Sequence, residues 1–243
     1  MDSAVDVRSP PSRSDMTALS RRRFVRIAAL VGLIAGGVAL WTEVVRDRVI
    51  AKRWGVVEEG RIYRSGQVSR HLIESQLKEH GIQVVVDLMG DDPDNREQPF
   101  ERAVIERLGV ELVKCPLIGD GTGDPDEYVR AIRAIDAARR ADRPVLVHCY
   151  AGSQRTGGVV ALYRLLVRGD PPESILAELP RYDWRPSRDR ILLEYLDKNL
   201  PRIAAELAAA GVAIHQPPAG LSFVGLQYDP VGKVAGRDGA TRR

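Results

Sequence analysis

The chain has 243 residues and 44% of them are hydrophobic, which suits one catalytic domain of ordinary size with terminal extensions. The net charge of +3 is small and no basic stripe with interleaved aromatic residues is present, so nucleic acid is excluded as an expected partner. The two cysteines, Cys115 and Cys149, imply no disulfide framework, and the four histidines do not cluster. We therefore expect no metal site and no cofactor.

The N-terminal part of the chain forms a segment of its own. Residues 1–23 are polar and then arginine-rich, and we expect a disordered segment on the cytoplasmic side. Residues 24–45 contain an uncharged run at 27–41, which is short for a membrane span unless the following residues extend it. A single-pass transmembrane anchor and a twin-arginine export signal around Arg21 and Arg22 both stay open, with an ordinary buried helix as the third alternative. Either of the first two makes the protein membrane-associated or exported, with its catalytic domain outside the cytoplasm.

From residue 55 to residue 211, which we take as the catalytic domain, predicted strands and helices alternate. The strands are predicted at residues 60–67, 82–88, 110–115 and 145–149. The helices are predicted at residues 69–80, 97–108, 126–140, 155–167, 173–179 and 187–200, with one more at 201–210. This alternation is typical of an α/β domain with a central, mostly parallel sheet flanked by helices on both faces, here preceded by one N-terminal hydrophobic helix. Residues 212–243 are predicted to be a flexible C-terminal tail with a short strand at 221–228.

The run H-C-Y-A-G-S-Q-R-T-G at residues 148–157 carries the predicted chemistry. It lies between two apolar runs, so a buried strand enters a tight loop that leads into a helix. The N–H groups at a helix N-terminus lack partners and the helix dipole is positive there, so such a loop can surround one phosphate. Arg155 adds a planar fork for two phosphate oxygens, and the same field favours the thiolate form of Cys149. The residues expected to bind substrate are Tyr150, Ala151, Gly152, Ser153, Gln154 and Arg155.

The C-x5-R-T spacing resembles the phosphate-binding loop of the cysteine-dependent protein tyrosine phosphatases, and H-C-x-x-G-x-x-R-T-G resembles their dual-specificity branch. The segment G-R-I-Y-R-S-G-Q at residues 60–67 is similar to the opening segment of bacterial and atypical members. The resemblance implies a tyrosine phosphatase-like fold with no cofactor. In this arrangement Cys149 is the nucleophile, Thr156 donates a hydrogen bond to its sulfur, and His148 fixes the loop backbone from behind.

The resemblance also implies a general acid, an Asp on a loop that precedes the cysteine. In this chain the loop comprises residues 116–125. We favour Asp120, because it lies close to the preceding strand and between glycines that allow the loop to move. Asp124 is the alternative acid, although its position before Pro125 and a helix also fits a helix N-cap.

The predicted function is hydrolysis of phosphate monoesters through a phosphocysteine intermediate, on phosphotyrosine and also on phosphoserine or phosphothreonine. The expected partners are a phosphorylated protein or small phosphomonoester, and the membrane through the N-terminal segment. A lipid or inositol phosphate phosphatase is the alternative, but the variable loop positions carry no cation, which favours a singly phosphorylated substrate. A non-catalytic phosphate-binding module is a further alternative, which the presence of both Cys149 and Arg155 disfavours.

Three further residues have open roles. Arg64 fits either a cation at the rim of the site or a surface arginine, and Arg188 fits either a loop that borders the site or a helix start. Cys115 ends the strand before the acid loop, so it can form an inhibitory disulfide with Cys149 if their Cα atoms lie within about 7 Å. A small buried core residue is the favoured interpretation of Cys115.

Overall fold

The structure is a computed structural model that describes residues 27, 30–37, 41, 49–228 and 234–235. The chain divides into two compact units, Met1–Asp47 and Arg48–Arg243. In the first unit residues 30–37 are helical, whereas the predicted segment 1–23 and most of 24–45 lie outside the described residues. Among the residues that the structure covers, no helix combines the length and apolar character needed to cross a membrane.

The second unit is built on a five-stranded sheet with the strand order β1-β2-β5-β3-β4. The strands are β1 Gly55–Glu58, β2 Ile62–Gly66, β3 Val84–Asp87, β4 Glu111–Lys114 and β5 Val145–Cys149. The edge strand β1 is antiparallel to β2, and the other neighbours pair in parallel. The strands β2, β3 and β5 are buried along their whole length, as expected for parallel strands covered on both faces. The predicted α/β architecture with a mostly parallel sheet is confirmed.

Six α-helices cover the two faces of this sheet. They are α1 Ile73–Glu79, α2 Glu97–Leu108, α3 Pro125–Arg140, α4 Gln154–Tyr163, α5 Pro172–Glu178 and α6 Arg190–Ala209. A π-helical turn, Arg164–Arg168, continues α4, and a 3-10 turn, Leu179–Tyr182, follows α5. Alternate residues of β5 divide between two cores: Val145, Val147 and Cys149 pack in the core with α3, α4 and α6, whereas Leu146 packs with α1 and α2.

The observed helices differ most clearly from the predicted ones at two places. The helix predicted at 69–80 begins only at Ile73, and the carbonyl of Ser69 accepts hydrogen bonds from the N–H groups of Leu72 and Ile73. The two helices predicted at 187–200 and 201–210 form the single helix α6, which passes through Pro201. Leu196, Leu200 and Ile203 are buried on both sides of the proline, so packing of one apolar face outweighs the lost backbone hydrogen bond.

The segment after α6 packs on the domain as far as it is described. Phe223 is fully buried, and its N–H donates to a carboxylate oxygen of Asp197 at 2.6 Å. The N–H of His215 donates to the carbonyl of Leu166, also at 2.6 Å. The sequence predicts a flexible tail from residue 212, because this part of the chain has no periodic pattern. The structure instead shows that burial of Phe223 and hydrogen bonds to Asp197 fix it against the domain. The strand expected at 221–228 is reduced to Gln227–Tyr228, paired with Val234–Ala235, and residues 229–233 and 236–243 lie outside the described residues.

Candidate active site

The loop predicted from sequence lies between the carboxyl end of β5 and the first turn of α4. Cys149 is the last residue of β5 and is 1% exposed. Its Sγ atom accepts a hydrogen bond from the N–H of Gly152 at 3.1 Å. The sulfur therefore lies at the positive N-terminal end of α4, where backbone N–H groups and the helix dipole favour a negative charge.

Gly152 permits the loop to lie against the end of β2. Its φ is +76°, and a Cβ atom there would lie 2.4 Å from the backbone nitrogen of Gly66. A Cβ atom on Gly66 would in turn lie 2.9 Å from the carbonyl oxygen of Ala151. The N–H of Gln67 donates to the carbonyl of Tyr150 at 3.1 Å and fastens the two backbones together. This contact requires two glycines, and sequence reasoning identified only Gly152.

Arg64 supports the loop from inside the protein. Its side chain is 1% exposed, and Nη2 donates to the carbonyl of Gly152 at 3.1 Å. Nη1 donates to Glu178 of α5 at 3.0 Å, and the guanidinium lies 3.6 Å from the ring centroid of Tyr182. Burial lowers the pKa of Arg64, and the neighbouring Glu178 opposes that shift. The arginine is therefore neither at the rim nor on the surface, because the parallel pairing of β2 with β5 buries it beneath the loop.

His148 points away from the loop that it was expected to support. It is fully buried, and its Nε2 lies 3.2 Å from a carboxylate oxygen of Glu101 on α2 and 4.0 Å from Asp87 on β3. Neither ring nitrogen makes a hydrogen bond with the described residues. Successive strand residues face opposite sides of the sheet, so His148 and Cys149 cannot both face the loop side. Burial raises the pKa of Glu101, and His148 opposes this shift.

Arg155 and Tyr150 border an open cavity of about 380 Å³. Its other lining residues are Met89, Gly90, Asp91, Asp92, Asn95 and Gln98. Arg155 reaches only one protein acceptor in the described part of the chain, the carbonyl of Leu88 at 3.5 Å, and its guanidinium can therefore bind a ligand. Thr156 is buried, and its hydroxyl makes no hydrogen bond with any described residue, so the predicted bond from Thr156 to Cys149 is not present here.

The loop that contains Asp120 lies against the start of α4. A Cβ atom on Gly121 would lie 3.3 Å from the backbone of Gln154. Asp120 is half-buried and accepts hydrogen bonds from the N–H and hydroxyl of Thr122 at 2.9 and 2.7 Å. Asp124 is exposed and caps α3, because its side chain accepts from the N–H of Asp126. The structure therefore places Asp120 near the loop and gives Asp124 the structural contact expected of an N-cap.

The segment before α6 also contacts the loop. Gln154 donates to a carboxylate oxygen of Asp189 at 2.6 Å, and Arg188 donates to the same oxygen at 2.9 Å. Asp189 is 2% exposed, and its other oxygen accepts from the N–H of Arg185. Arg188 thus borders the loop, but its charge is paired. Sequence reasoning missed Asp189, because nothing local indicates that it would be buried.

Cys115 cannot reach Cys149 for a disulfide. Asp87 of β3 lies opposite Lys114 of β4 on one side and opposite His148 of β5 on the other. Cys115 and Cys149 are the next residues along the chain, so they lie at the same height in the sheet with β3 between them. Two strand spacings separate their Cα atoms by about 10 Å, whereas a disulfide needs less than about 7 Å. Burial raises the pKa of Cys115 to about 12, and the expectation of a buried core cysteine holds.

The chain is similar to known proteins over the region that contains this site. A family model described as "PTP-NADK: DSP-PTPase phosphatase fused to NAD+ Kinase" matches residues 35–184, more than half of the chain. The dual specificity protein phosphatase TpbA of Pseudomonas aeruginosa strain UCBPP-PA14 is 31% identical over 120 residues, which are 49% of this chain and 50% of that protein. The chain thus spans about half the length of the curated relatives it matches.

Two solved structures share the fold. The crystal structure of P. aeruginosa TpbA has a TM-score of 0.52 and 24% identity, covering 65% of this chain and 91% of that chain. A structure of a TpbA variant in complex with pTyr has a TM-score of 0.51 and 23% identity, covering 64% and 95%.

Proposed function

This chain belongs to the DSP-PTPase phosphatase family, and we propose that it hydrolyses phosphate monoesters through a phosphocysteine intermediate. The observation that carries the proposal is the placement of Cys149 at the N-terminal end of α4, with the Gly152 N–H on its sulfur and Arg155 beside an open cavity. The proposed catalytic domain comprises residues 55–211.

In the first step the Cys149 thiolate attacks phosphorus and the bond to the leaving oxygen breaks. The N–H groups of the loop and Arg155 hold the phosphoryl oxygens while charge develops on them. Asp120 gives its proton to the departing oxygen, which leaves as an alcohol or phenol. The product of this step is a phosphate covalently bound to the sulfur of Cys149.

In the second step a water attacks the phosphocysteine. The Asp120 carboxylate takes the proton of the water, the new P–O bond forms, and the S–P bond breaks. Cys149 returns to the thiolate, Asp120 is protonated again, and inorganic phosphate is released. In this scheme Thr156 and His148 have no direct step, and Tyr150, Ala151, Ser153 and Gln154 contribute the loop around the phosphate.

The acidic cavity wall supports a substrate with one phosphate. Asp91, which is paired with Lys114, and Asp92 line the same cavity as Arg155, so further phosphates there would face carboxylates and no unpaired cation of the lining other than Arg155. The exposed ring of Tyr150 offers an aromatic surface at the mouth of the cavity. We therefore place phosphotyrosine first and phosphoserine or phosphothreonine second, in agreement with the pTyr bound to the TpbA variant. The same carboxylates disfavour a lipid or inositol polyphosphate.

The test is phosphate release by the purified full-length chain from a phosphotyrosine peptide, a phosphoserine peptide and a phosphoinositide. Cys149→Ser should abolish turnover but keep phosphate binding, because serine ionises poorly and cannot form the intermediate. Cys115→Ser is the matched control and should retain activity, since this cysteine lies about two strand spacings away. Turnover by Cys149→Ser within tenfold of wild type would exclude Cys149 as the nucleophile.

We also propose that residues 24–45 anchor the protein in a membrane or direct its export, with the catalytic domain outside the cytoplasm. The support is the uncharged run that follows the arginine cluster. Replacing Arg21 and Arg22 by Lys should block twin-arginine export, whereas a simple anchor should still insert because the positive charge is kept. Recovery of the full-length protein in the soluble cytoplasmic fraction would contradict both routes.

A further inference from the structure

Two tyrosines from different helices hold the backbone of the loop that contains Asp120. The hydroxyl of Tyr128 on α3 donates to the carbonyl of Gly121. The hydroxyl of Tyr195 on α6 donates to the carbonyl of Gly123 at 3.1 Å. These carbonyls belong to the residues one and three positions after Asp120, so the two bonds fix the part of the loop from which this carboxylate projects.

The two rings pack against each other. Their centroids lie 5.5 Å apart, and the side chain of Tyr128 is fully buried. Burial raises the pKa of Tyr128 well above its ordinary value and raises that of Tyr195 to about 12. Both hydroxyls therefore stay protonated throughout the neutral range, and each remains a permanent donor to its carbonyl.

The helix α4 has a glycine where the Tyr128 side chain packs against it. A Cβ atom on Gly158 of α4 would lie 2.4 Å from the Tyr128 hydroxyl, so only glycine leaves room for it. Through its hydroxyl, Tyr128 thus contacts both the loop of the general acid and the helix that begins at the nucleophile's loop.

We propose that Tyr128 and Tyr195 are positioning residues that hold Asp120 at the distance from Cys149 at which it can protonate the leaving group. The inference rests on the proposed function and on Asp120 as its general acid. Gly119 and Gly121 on either side of Asp120 suggest a loop free to move, but the tyrosine hydroxyls restrain the carbonyls of Gly121 and Gly123.

The test compares Tyr128→Phe and Tyr195→Phe with a matched control, Tyr163→Phe. Tyr163 is also buried, but its hydroxyl makes no hydrogen bond with the described residues and it lies on α4 away from the acid loop. Each full-length variant is assayed with two substrates. The leaving group of phenyl phosphate needs a proton, whereas that of p-nitrophenyl phosphate departs readily without one. Asp120→Asn measures the full contribution of the acid with the same two substrates.

We expect Tyr128→Phe and Tyr195→Phe each to lower kcat/KM on phenyl phosphate about tenfold, and by less than about twofold on p-nitrophenyl phosphate. The comparison uses kcat/KM because the second step, hydrolysis of the phosphocysteine, is the same for both substrates. Tyr163→Phe should leave the ratio of the two kcat/KM values unchanged. Hydrogen exchange should accelerate at the amides of residues 119–123 in both loop variants, and this readout does not depend on turnover. Because Tyr195 is only half-buried, its variant remains informative if Tyr128→Phe folds poorly.

An equal loss of kcat/KM on both substrates, or unchanged exchange in the loop, would overturn the positioning role. If Asp120→Asn itself shows no dependence on the leaving group, the assignment of the acid fails and the inference fails with it. If the wild-type chain releases no phosphate from any monoester while exchange in the loop still responds to the tyrosines, the proposed function is what has failed.

Discussion

Replacement of Gly152 by Ala tests the close contact between β2 and the loop that joins β5 to α4. Two costs follow from the structure. The φ of +76° costs about 1–2 kcal/mol for a residue with a Cβ atom. The new Cβ would also lie 2.4 Å from the backbone nitrogen of Gly66 and 2.7 Å from the carbonyl carbon of Ser65, and such overpacking costs about 1–3 kcal/mol.

Gly109→Ala is the matched control for the backbone cost alone. Gly109 ends α2 with a φ of +65°, and a Cβ atom there would meet nothing within 4 Å. Urea unfolding should show a loss of about 1 kcal/mol for Gly109→Ala, with phosphatase activity within about twofold of wild type. Gly152→Ala should lose about 3 kcal/mol of unfolding free energy or move its loop to relieve the contact.

Either response of Gly152→Ala displaces the N–H groups that are proposed to surround the phosphate. A displacement of about 1 Å in a catalytic group costs about a hundredfold in rate, so we expect kcat/KM for a phosphotyrosine peptide to fall at least that much. The same loss of stability in the two variants, together with Gly152→Ala activity within about threefold of wild type, would refute the argument from close packing.

Three other predictions concern residues around the loop. Arg64→Met should lower the unfolding free energy by about 2 kcal/mol in urea titrations, because the carbonyl of Gly152 loses its buried donor while Glu178 keeps its ion pair with Arg164. An unchanged midpoint would contradict this. Asp124→Ala should cost about 1 kcal/mol of stability while phosphate release stays near wild type, and a strong loss of kcat would instead identify Asp124 as the acid. Burial raises the pKa of Glu101 above its ordinary value of 4.5, so the folded chain binds that proton more tightly than the unfolded chain. The contribution of this proton to stability is complete below pH 4.5 and is lost as pH rises through the raised pKa. Glu101→Gln should remove this part of the pH dependence of Tm. An identical pH profile of Tm for the variant and the wild type would exclude a contribution from Glu101.

Local sequence predicts correctly the strands and helices that are marked by a clear apolar run or by a glycine at their end. The strand at 145–149 begins with an apolar run and has the predicted bounds, and α2 has its predicted bounds and is followed by Gly109, whose φ of +65° suits glycine. By contrast, the predicted break between residues 200 and 201 is wrong, because Pro201 is a local signal that buried packing of α6 overrides.

The sequence by itself determined which residues form the loop and where it lies between a strand and a helix, because the Cys149-to-Arg155 spacing, the glycine between them and the following helix are contiguous along the chain. Only the tertiary structure decided what supports that loop. Arg64 becomes a buried partner of Gly152 through parallel pairing of β2 with β5, and His148 faces Glu101 because neighbouring strand residues point to opposite faces. These contacts join residues distant in sequence, and no local pattern specifies which distant groups the folded sheet and helices bring together.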